Sequence, residues 1–244
     1  LGRLIGIFFL LPLLFFTFKL GIKKLYNLYL IFILICFQGF VGWYMVSSGL
    51  IDRVDVSHFR LSVHLIIAFI ILSLLLWNYL SLRPNINNNY KLNYFIPLFF
   101  LFSIFCQILI GAFVSGMDAG QIYNSWPLMG STYFPDDNNY SNIFKISAFS
   151  DPSLVQFMHR NLAYLILIFY LIIAYKVYKE KLAQLYLAIN LVGLILFIQI
   201  LLGILTLLYG AQIVLASMHQ ISSIFLVSFS VYLLFLSTNQ RLSN

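Results

Sequence analysis

Charge is what this chain has least of. Only 9% of its 244 residues are Asp, Glu, Lys or Arg, and just 7 of those are acidic. A soluble domain of this size needs far more charged surface, so that class is excluded. Cysteine is nearly absent too. The two present, Cys36 and Cys106, stand far apart with no C-x-x-C spacing, which excludes a disulfide framework and a zinc cluster. Both read as buried apolar residues in mid-membrane. What fills the chain instead is apolar: 62% hydrophobic residues, with 25 Phe and 16 Tyr. The net charge of +7 comes from basic residues in loops, so it is no nucleic-acid footprint.

Stretches of about 20 apolar residues cross a bilayer as helices. Seven such spans are expected: Leu4–Phe18, Tyr26–Ser47, Leu61–Leu82, Tyr94–Gly116, Leu154–Tyr178, Leu182–Leu208 and Val214–Leu236. The fold class is an all-α polytopic membrane protein. Apolar runs continue to the C-terminus, which excludes a signal peptide followed by a soluble body. One set of connections carries Lys19, Lys23, Lys24, Arg83, Lys91, Lys176, Lys179 and Lys181, with Arg241 in the tail. The opposite set carries Asp52, Asp55, Asp118, Asp136, Asp137 and Asp151, with Arg53, Arg60 and Lys145 as its bases. The Lys-rich side therefore faces the cytoplasm or, in an organelle, the matrix. Tyr26, Tyr29, Trp43, Tyr44, Trp77 and Tyr79 fall near span ends, as an interfacial aromatic belt requires. The chain begins at Leu1 and its first span is the shortest, so a preceding segment is expected.

An internal repeat runs through alternate spans. Gln38 and Gly42, Gln107 and Gly111, and Gln199 and Gly203 are each four residues apart, hence on one helix face. Such a glycine serves either close helix packing or cofactor contact. Three histidines follow in the intervening spans: His64, His159 and His219. An ionisable side chain inside a span marks a functional site. His159 and His219 lie about five residues into parallel spans, roughly 8 Å below the outer helix ends. Two imidazoles at equal depth can clamp one iron from opposite faces, and bis-imidazole ligation of a heme fits this spacing better than zinc does. His64 has the same position on its span. His58, two residues before Arg60, reads as solvated.

Arg160 directly follows His159, and a guanidinium pairs well with a carboxylate such as a heme propionate; the alternative is snorkelling to the headgroups. Arg3 stands similarly on the first span. The outer loop from Met117 to Asp151 is the main non-membrane segment. Its Asp118, Asn124, Trp126 and Pro127 either close over a heme edge or form a cap packed on the bundle. Asn138, Asn139 and the run from Asn85 to Asn89 read as polar linker.

Several motifs resemble those of the heme A synthases of bacteria and mitochondria. They are the segment from Gly49 through Arg53 to Ser57 with Arg60 and His64, and that from Gly111 through Gly116 to Gly120 followed by Tyr123-Asn124-Ser125-Trp126-Pro127-Leu128-Met129. Gln156-Phe157-Met158-His159-Arg160 and Leu215-Ala216-Ser217-Met218-His219-Gln220 complete the match, which covers the whole chain in order. The resemblance implies eight helices in two pseudo-symmetric four-helix bundles, with seven spans present here and the first helix missing. Residues 1–91 would be the remainder of the N-terminal, substrate-heme half. Residues 92–244, including the outer loop 117–151, would be the C-terminal half. It implies a membrane oxidoreductase that converts the C8 methyl of heme O to a formyl group, giving heme A for cytochrome oxidase. It places a heme b cofactor between His159 and His219, and makes His64 a ligand of the substrate heme. The other substrate-side histidine and an acidic catalytic residue precede Leu1 in the family pattern, so the chain as given is expected not to turn over. The outer-loop cysteine pairs of some members are absent.

By the same resemblance the setting is a bacterial plasma membrane or a mitochondrial inner membrane. The candidate partners are membrane lipid, a heme O synthase, an electron acceptor and a second copy of the chain. Two rivals use the same histidines. One is a bis-His b-type cytochrome that exchanges electrons with quinone, and product analysis separates it, because only a synthase leaves hydroxylated or formylated heme. The other is a repeat-built transporter with a histidine proton relay. The spans lack the Gly/Pro breaks it would need.

Overall fold

The structure, a computed structural model, describes residues 2–47, 56–82 and 92–238, without the side chains of residues 2 and 3. Among the described residues there are seven α-helices: α1 Gly2–Leu20, α2 Tyr26–Ser47, α3 His58–Ser81, α4 Phe95–Gly116, α5 Pro152–Lys179, α6 Tyr186–Leu208 and α7 Ile213–Thr238. The fold is all-helical, as expected. Six helices are long and apolar enough to cross a membrane, while the apolar part of α1, Leu4–Leu20, is shorter. Several sequence motifs fall partly outside the described residues: Gly49–Asp55, the Asn85–Asn89 run, Arg83, Lys91 and Arg241.

Apolar composition makes these helices, and their few polar residues are satisfied locally. Ser73, Ser103, Ser228, Ser230 and Ser237 each donate to the carbonyl four residues earlier, at 2.7 to 2.9 Å. Asn78 and Ser81 do the same, both at 2.8 Å. In lipid no water is available to serve these groups, so back-bonding removes a cost of several kcal/mol per group. Helix ends follow ordinary chemistry. Asp151 caps α5 by accepting from the Leu154 N–H at 3.0 Å, with Pro152 at the first helical position. Gly21, at φ +80, turns the chain out of α1 beside Lys19, Lys23 and Lys24.

Helices α4, α5, α6 and α7 close a ring through the adjacent pairs α4–α5, α5–α6, α6–α7 and α7–α4. Helices α5 and α7 therefore face each other across its diagonal. Helix α3 packs on both α4 and α7, where Trp77 meets Phe235 edge-on at 5.2 Å, and α2 and then α1 follow outward. The main apolar core lies in the half of the bundle nearer the Lys-rich ends. It is built from residues such as Phe100, Ile104, Ile173, Val177, Ile189, Val192, Val227 and Leu233. All buried residues of α7 lie at Ser222 or beyond, whereas Val214, Met218 and Ile221 nearer the other end are 58%, 49% and 55% exposed. The packed core stops just below the level of His219.

Candidate functional site

The three histidines occupy matching positions. His64 lies six residues after the first residue of α3, His219 six after that of α7, and His159 seven after that of α5. At 1.5 Å per residue this is about 9–10 Å of helix, slightly deeper than the sequence suggests. His159 and His219 stand on the diagonal pair α5 and α7.

Each histidine meets the repeat on the helix before it. Gln38, Gln107 and Gln199 each stand nine residues before the end of α2, α4 and α6. Gln38 Nε2 donates to the His64 main-chain oxygen at 2.9 Å and lies 3.2 Å from His64 Nε2. Gln107 makes the same pair of contacts with His159 at 3.0 and 3.3 Å, and Gln199 with His219 at 3.0 and 3.5 Å. One helical turn on, the glycine gives the ring its space. A Cβ on Gly42, Gly111 or Gly203 would come within 3.0, 3.0 or 3.1 Å of the Cε1 of His64, His159 or His219. Each glycine thus makes room for a histidine ring of the next helix, a close helix packing. The Gln–Gly spacing is legible in the sequence, but its histidine partner on another helix is not.

The imidazoles are not fully satisfied. The Nδ1 atoms of His64, His159 and His219 are all buried without a hydrogen-bond partner. A buried polar nitrogen left unpaired costs free energy unless something supplies a partner. Unpaired ring nitrogens on diagonal helices, above the point where the core ends, fit a group that brings its own metal. The donor set is imidazole only. No cluster of three or more His, Cys, Asp or Glu capable of holding a bare ion occurs among the described residues.

A structured cap covers the outer end of α5. It is the segment between α4 and α5, with short 3-10 turns at Ala119–Gln121, Tyr140–Phe144 and Ile146–Ser150. Arg160 donates from Nη1 to the carbonyls of Ser125 (2.9 Å) and Leu128 (3.3 Å), and from Nη2 to that of Tyr123 (3.0 Å), while its buried Nε has no partner. Gln156 Nε2 donates to the same Tyr123 carbonyl at 3.1 Å. Trp126 Nε1 donates to Tyr164 Oη at 2.9 Å, and Tyr133 Oη to Asn161 at 2.6 Å. Asn124 ties the cap to α6 through the Leu207 carbonyl at 3.0 Å. Gln156, Arg160 and Tyr164 recur every four residues, so one face of α5 carries the cap. Asp118 opens the cap in the left-handed region, at φ 51.

The Asp137 carboxyl is held below the usual range. Partial burial opposes this, and it is outweighed by hydrogen bonds from Ser153 and Tyr123. Asp136 is also lowered, first by the Ser131 N–H and then by Thr132 and the Ser131 hydroxyl.

Two sequence readings are corrected. His58 is not solvated. Its ring packs edge-on against Phe113 at 5.4 Å, hydrogen-bonds to the Phe149 main chain and buries Nε2. Gly116 permits this, because a Cβ there would fall 2.8 Å from His58 Cα. Cys36 is exposed on α2 rather than buried, and Cys106 is half-buried; both are free thiols. In a membrane helix, apolar residues face lipid as readily as core, so composition alone could not place them.

Comparison with known proteins places the chain in a family. Residues 1–231 match the cytochrome oxidase assembly protein family COX15-CtaA. The chain is 45% identical to the heme A synthase of Pelagibacter ubique over 241 residues, which is 98% of this chain and 71% of that protein. It is 40% identical to the heme A synthase of Rickettsia bellii and 39% to that of Rickettsia prowazekii, covering 71% and 72% of their lengths. Helices α1 to α6, most of α7, all three Gln–His units and the whole cap lie within the matched region, so the chain belongs to the COX15-CtaA family of cytochrome oxidase assembly proteins.

Proposed function

We infer that this multi-pass membrane protein is a heme A synthase, an oxidoreductase that converts the C8 methyl of heme O to a formyl group. The observation that carries the reading is the pair His159 and His219. They stand on diagonal helices, each with a buried unpaired nitrogen, in a chain 45% identical to a heme A synthase. In this reading the two hold a heme b cofactor and His64 is a ligand of the substrate heme. A bound heme supplies one-electron redox chemistry, which stepwise oxidation of an unactivated methyl requires. The chain's own residues do the rest. The histidines present neutral imidazole, the glutamines and glycines fix where each ring lies, and the low-dielectric bundle keeps water from the ligands.

Arg160 is assigned to the rim of the same pocket. Its Nη groups secure the cap over the outer end of α5, and its unpaired Nε remains as a donor for a propionate.

Two measurements test this. A reduced-minus-oxidised spectrum of the purified chain should show a low-spin b-type heme that disappears in the His159→Ala/His219→Ala variant. A signal retained in the variant overturns the ligand assignment. A chimera in which this chain replaces the matched 241 residues of the Pelagibacter ubique heme A synthase should restore formylated heme to cells lacking their own synthase. A chimera with the b-type spectrum but no hydroxylated or formylated heme would instead identify an electron carrier.

A further inference from the structure

We propose that the tip of the cap, Phe144-Lys145-Ile146, is a lipid anchor that lies in the outer leaflet beside the bundle. Phe144 and Ile146 are each 90% exposed, and among the described large apolar residues only Phe18 on α1 matches them. Elsewhere in the cap Trp126, Leu128 and Tyr133 are less than half exposed. Two large apolar side chains held out in water mark an interaction surface. At a bilayer surface they bury their area among lipid chains.

The fold brings the tip to the level of lipid. Phe149 meets Phe113, three residues before the end of α4, with ring centroids 6.2 Å apart. Its main chain hydrogen-bonds His58, the first residue of α3. The 22 residues of α4 span about 33 Å, close to the thickness of a bilayer's hydrocarbon. The outer ends of α3 and α4, and Phe149 with them, therefore stand at the hydrocarbon boundary. Ile146 opens the short 3-10 helix that contains Phe149, so it lies about 6 Å along the chain from it, and Phe144 is two residues further. Between them Ala148 is buried against the Phe134 and Leu154 cluster, which ties the tip to the rest of the cap.

Charge points the same way. The cap between Met117 and Asp151 carries four acids, Asp118, Asp136, Asp137 and Asp151, and a single base, Lys145. Asp136 accepts from Ser131 and Thr132, Asp137 from Tyr123 and Ser153, and Asp151 caps α5. No acid lies in the stretch from Tyr140 to Ser150. Lys145 Nζ donates to Asn142 Oδ1 at 2.9 Å and keeps further hydrogens to give. An ammonium between two apolar side chains suits the phosphate level of a headgroup layer, with the apolar pair below it.

The full chain is tested in phosphatidylcholine–phosphatidylglycerol vesicles. In a Cys36→Ala/Cys106→Ala background, which removes both free thiols, nitroxide labels are placed through Phe144→Cys or Ile146→Cys. Phe102→Cys, mid-span and exposed on α4, is the lipid reference. Collisions with dissolved oxygen should outweigh those with an aqueous nickel chelate at both tip positions, by less than at the reference. Collisions dominated by the nickel chelate would overturn the proposal, because the tip would stand in water. Labels shielded from both reagents would also overturn it, since protein, a second copy included, would then cover the tip. Trypsin supplies an independent reading, as Lys145 is the only Lys or Arg in the cap. Cleavage there, normalised to the outward-facing fraction, should be several-fold faster in Phe144→Ser/Ile146→Ser than in wild type, at an unchanged thermal transition. Equal cleavage rates would refute anchoring by these two side chains.

Discussion

Replacing Gly111 by alanine is the sharpest test of how the histidine pocket is built. The added methyl would lie 3.0 Å from His159 Cε1 and 3.6 Å from its Nδ1, so the ring must yield by a few tenths of an ångström. Two opposing effects act on stability. Alanine in a helix interior gains about 1 kcal/mol over glycine. Overpacking a tight contact costs about 1–3 kcal/mol. The net effect on folding is therefore near zero to about 2 kcal/mol, too little to unfold a seven-helix bundle. Metal–ligand distances, however, tolerate only about 0.2 Å. Gly111→Ala should thus keep its thermal transition in detergent yet lose heme about 10-fold or more. Gly203→Ala, at 3.1 Å from His219, should behave alike. Gly39 is the control. It lies next to Gln38 on α2, but a Cβ there meets nothing within 4 Å, so Gly39→Ala should leave heme content unchanged. Heme is quantified per polypeptide on each purified variant. Full heme with an unshifted spectrum in both Gly111→Ala and Gly203→Ala would refute the claim that these glycines exist to seat the rings.

The cap gives three further expectations. Arg160→Leu removes three hydrogen bonds from a charged donor, each roughly 1.5–3 kcal/mol where buried and less here because the site is half-open. Proteolysis between Met117 and Asp151 should accelerate several-fold, and unchanged cleavage would show that the cap docks without Arg160. Acid should loosen the same segment. Asp136 and Asp137 titrate below the ordinary 3.8 in the folded protein, so their stabilisation is present above that value and fades as pH falls through the lower folded values. Hydrogen exchange in the cap should be flat from pH 7 to about pH 5, after correction for the intrinsic rate, and then rise below about pH 4. A rise centred near pH 6 would point to histidine instead. Finally, His58→Phe should preserve both heme content and spectrum, because the ring sits in an aromatic contact with Phe59 and Phe113. Loss of heme would make His58 a ligand.

Much of the architecture was readable because a membrane leaves the backbone few choices. With no water in the hydrocarbon, a run of 20 apolar residues is a helix. The alternation of Lys-rich and Asp-bearing connections then orders the helices up and down. The histidines stood out for a related reason, since an imidazole in such a run has no ordinary purpose. Contacts between helices were another matter. Gln107 and Gly111 are visible as a pair on one face, but 52 residues separate Gln107 from His159, and no periodicity spans that gap. His58 was misjudged because its neighbours Ser57 and Arg60 are polar, whereas its burial depends on Gly116, on another helix. Arg160 suggested an anion. The structure gives it cap carbonyls, a partner made available only when the loop folds back on α5.

The threefold recurrence of Gln opposite His follows from the cost of polarity in lipid. A histidine that must stay neutral inside a membrane needs a partner that is itself neutral, and this rules out Asp, Glu, Lys and Arg. The partner must reach across a helix–helix interface to both a main-chain oxygen and a ring. A Ser hydroxyl or an Asn, shorter by one methylene, could not span both from the same helix position. Gln satisfies each demand, and the glycine one turn away brings the ring close enough to be reached. The unit still leaves Nδ1 unpaired, and in two copies Oε1 as well, at a net cost of about 1–3 kcal/mol for each orphan. That cost falls at the same level where the packed core stops. A bundle that kept its core continuous past His219 would be more stable and would have no place between α5 and α7 for a cofactor. The end of the packed core and the unpaired nitrogens fall at one level of the bundle, and the heme proposed between α5 and α7 would supply the interactions those nitrogens lack.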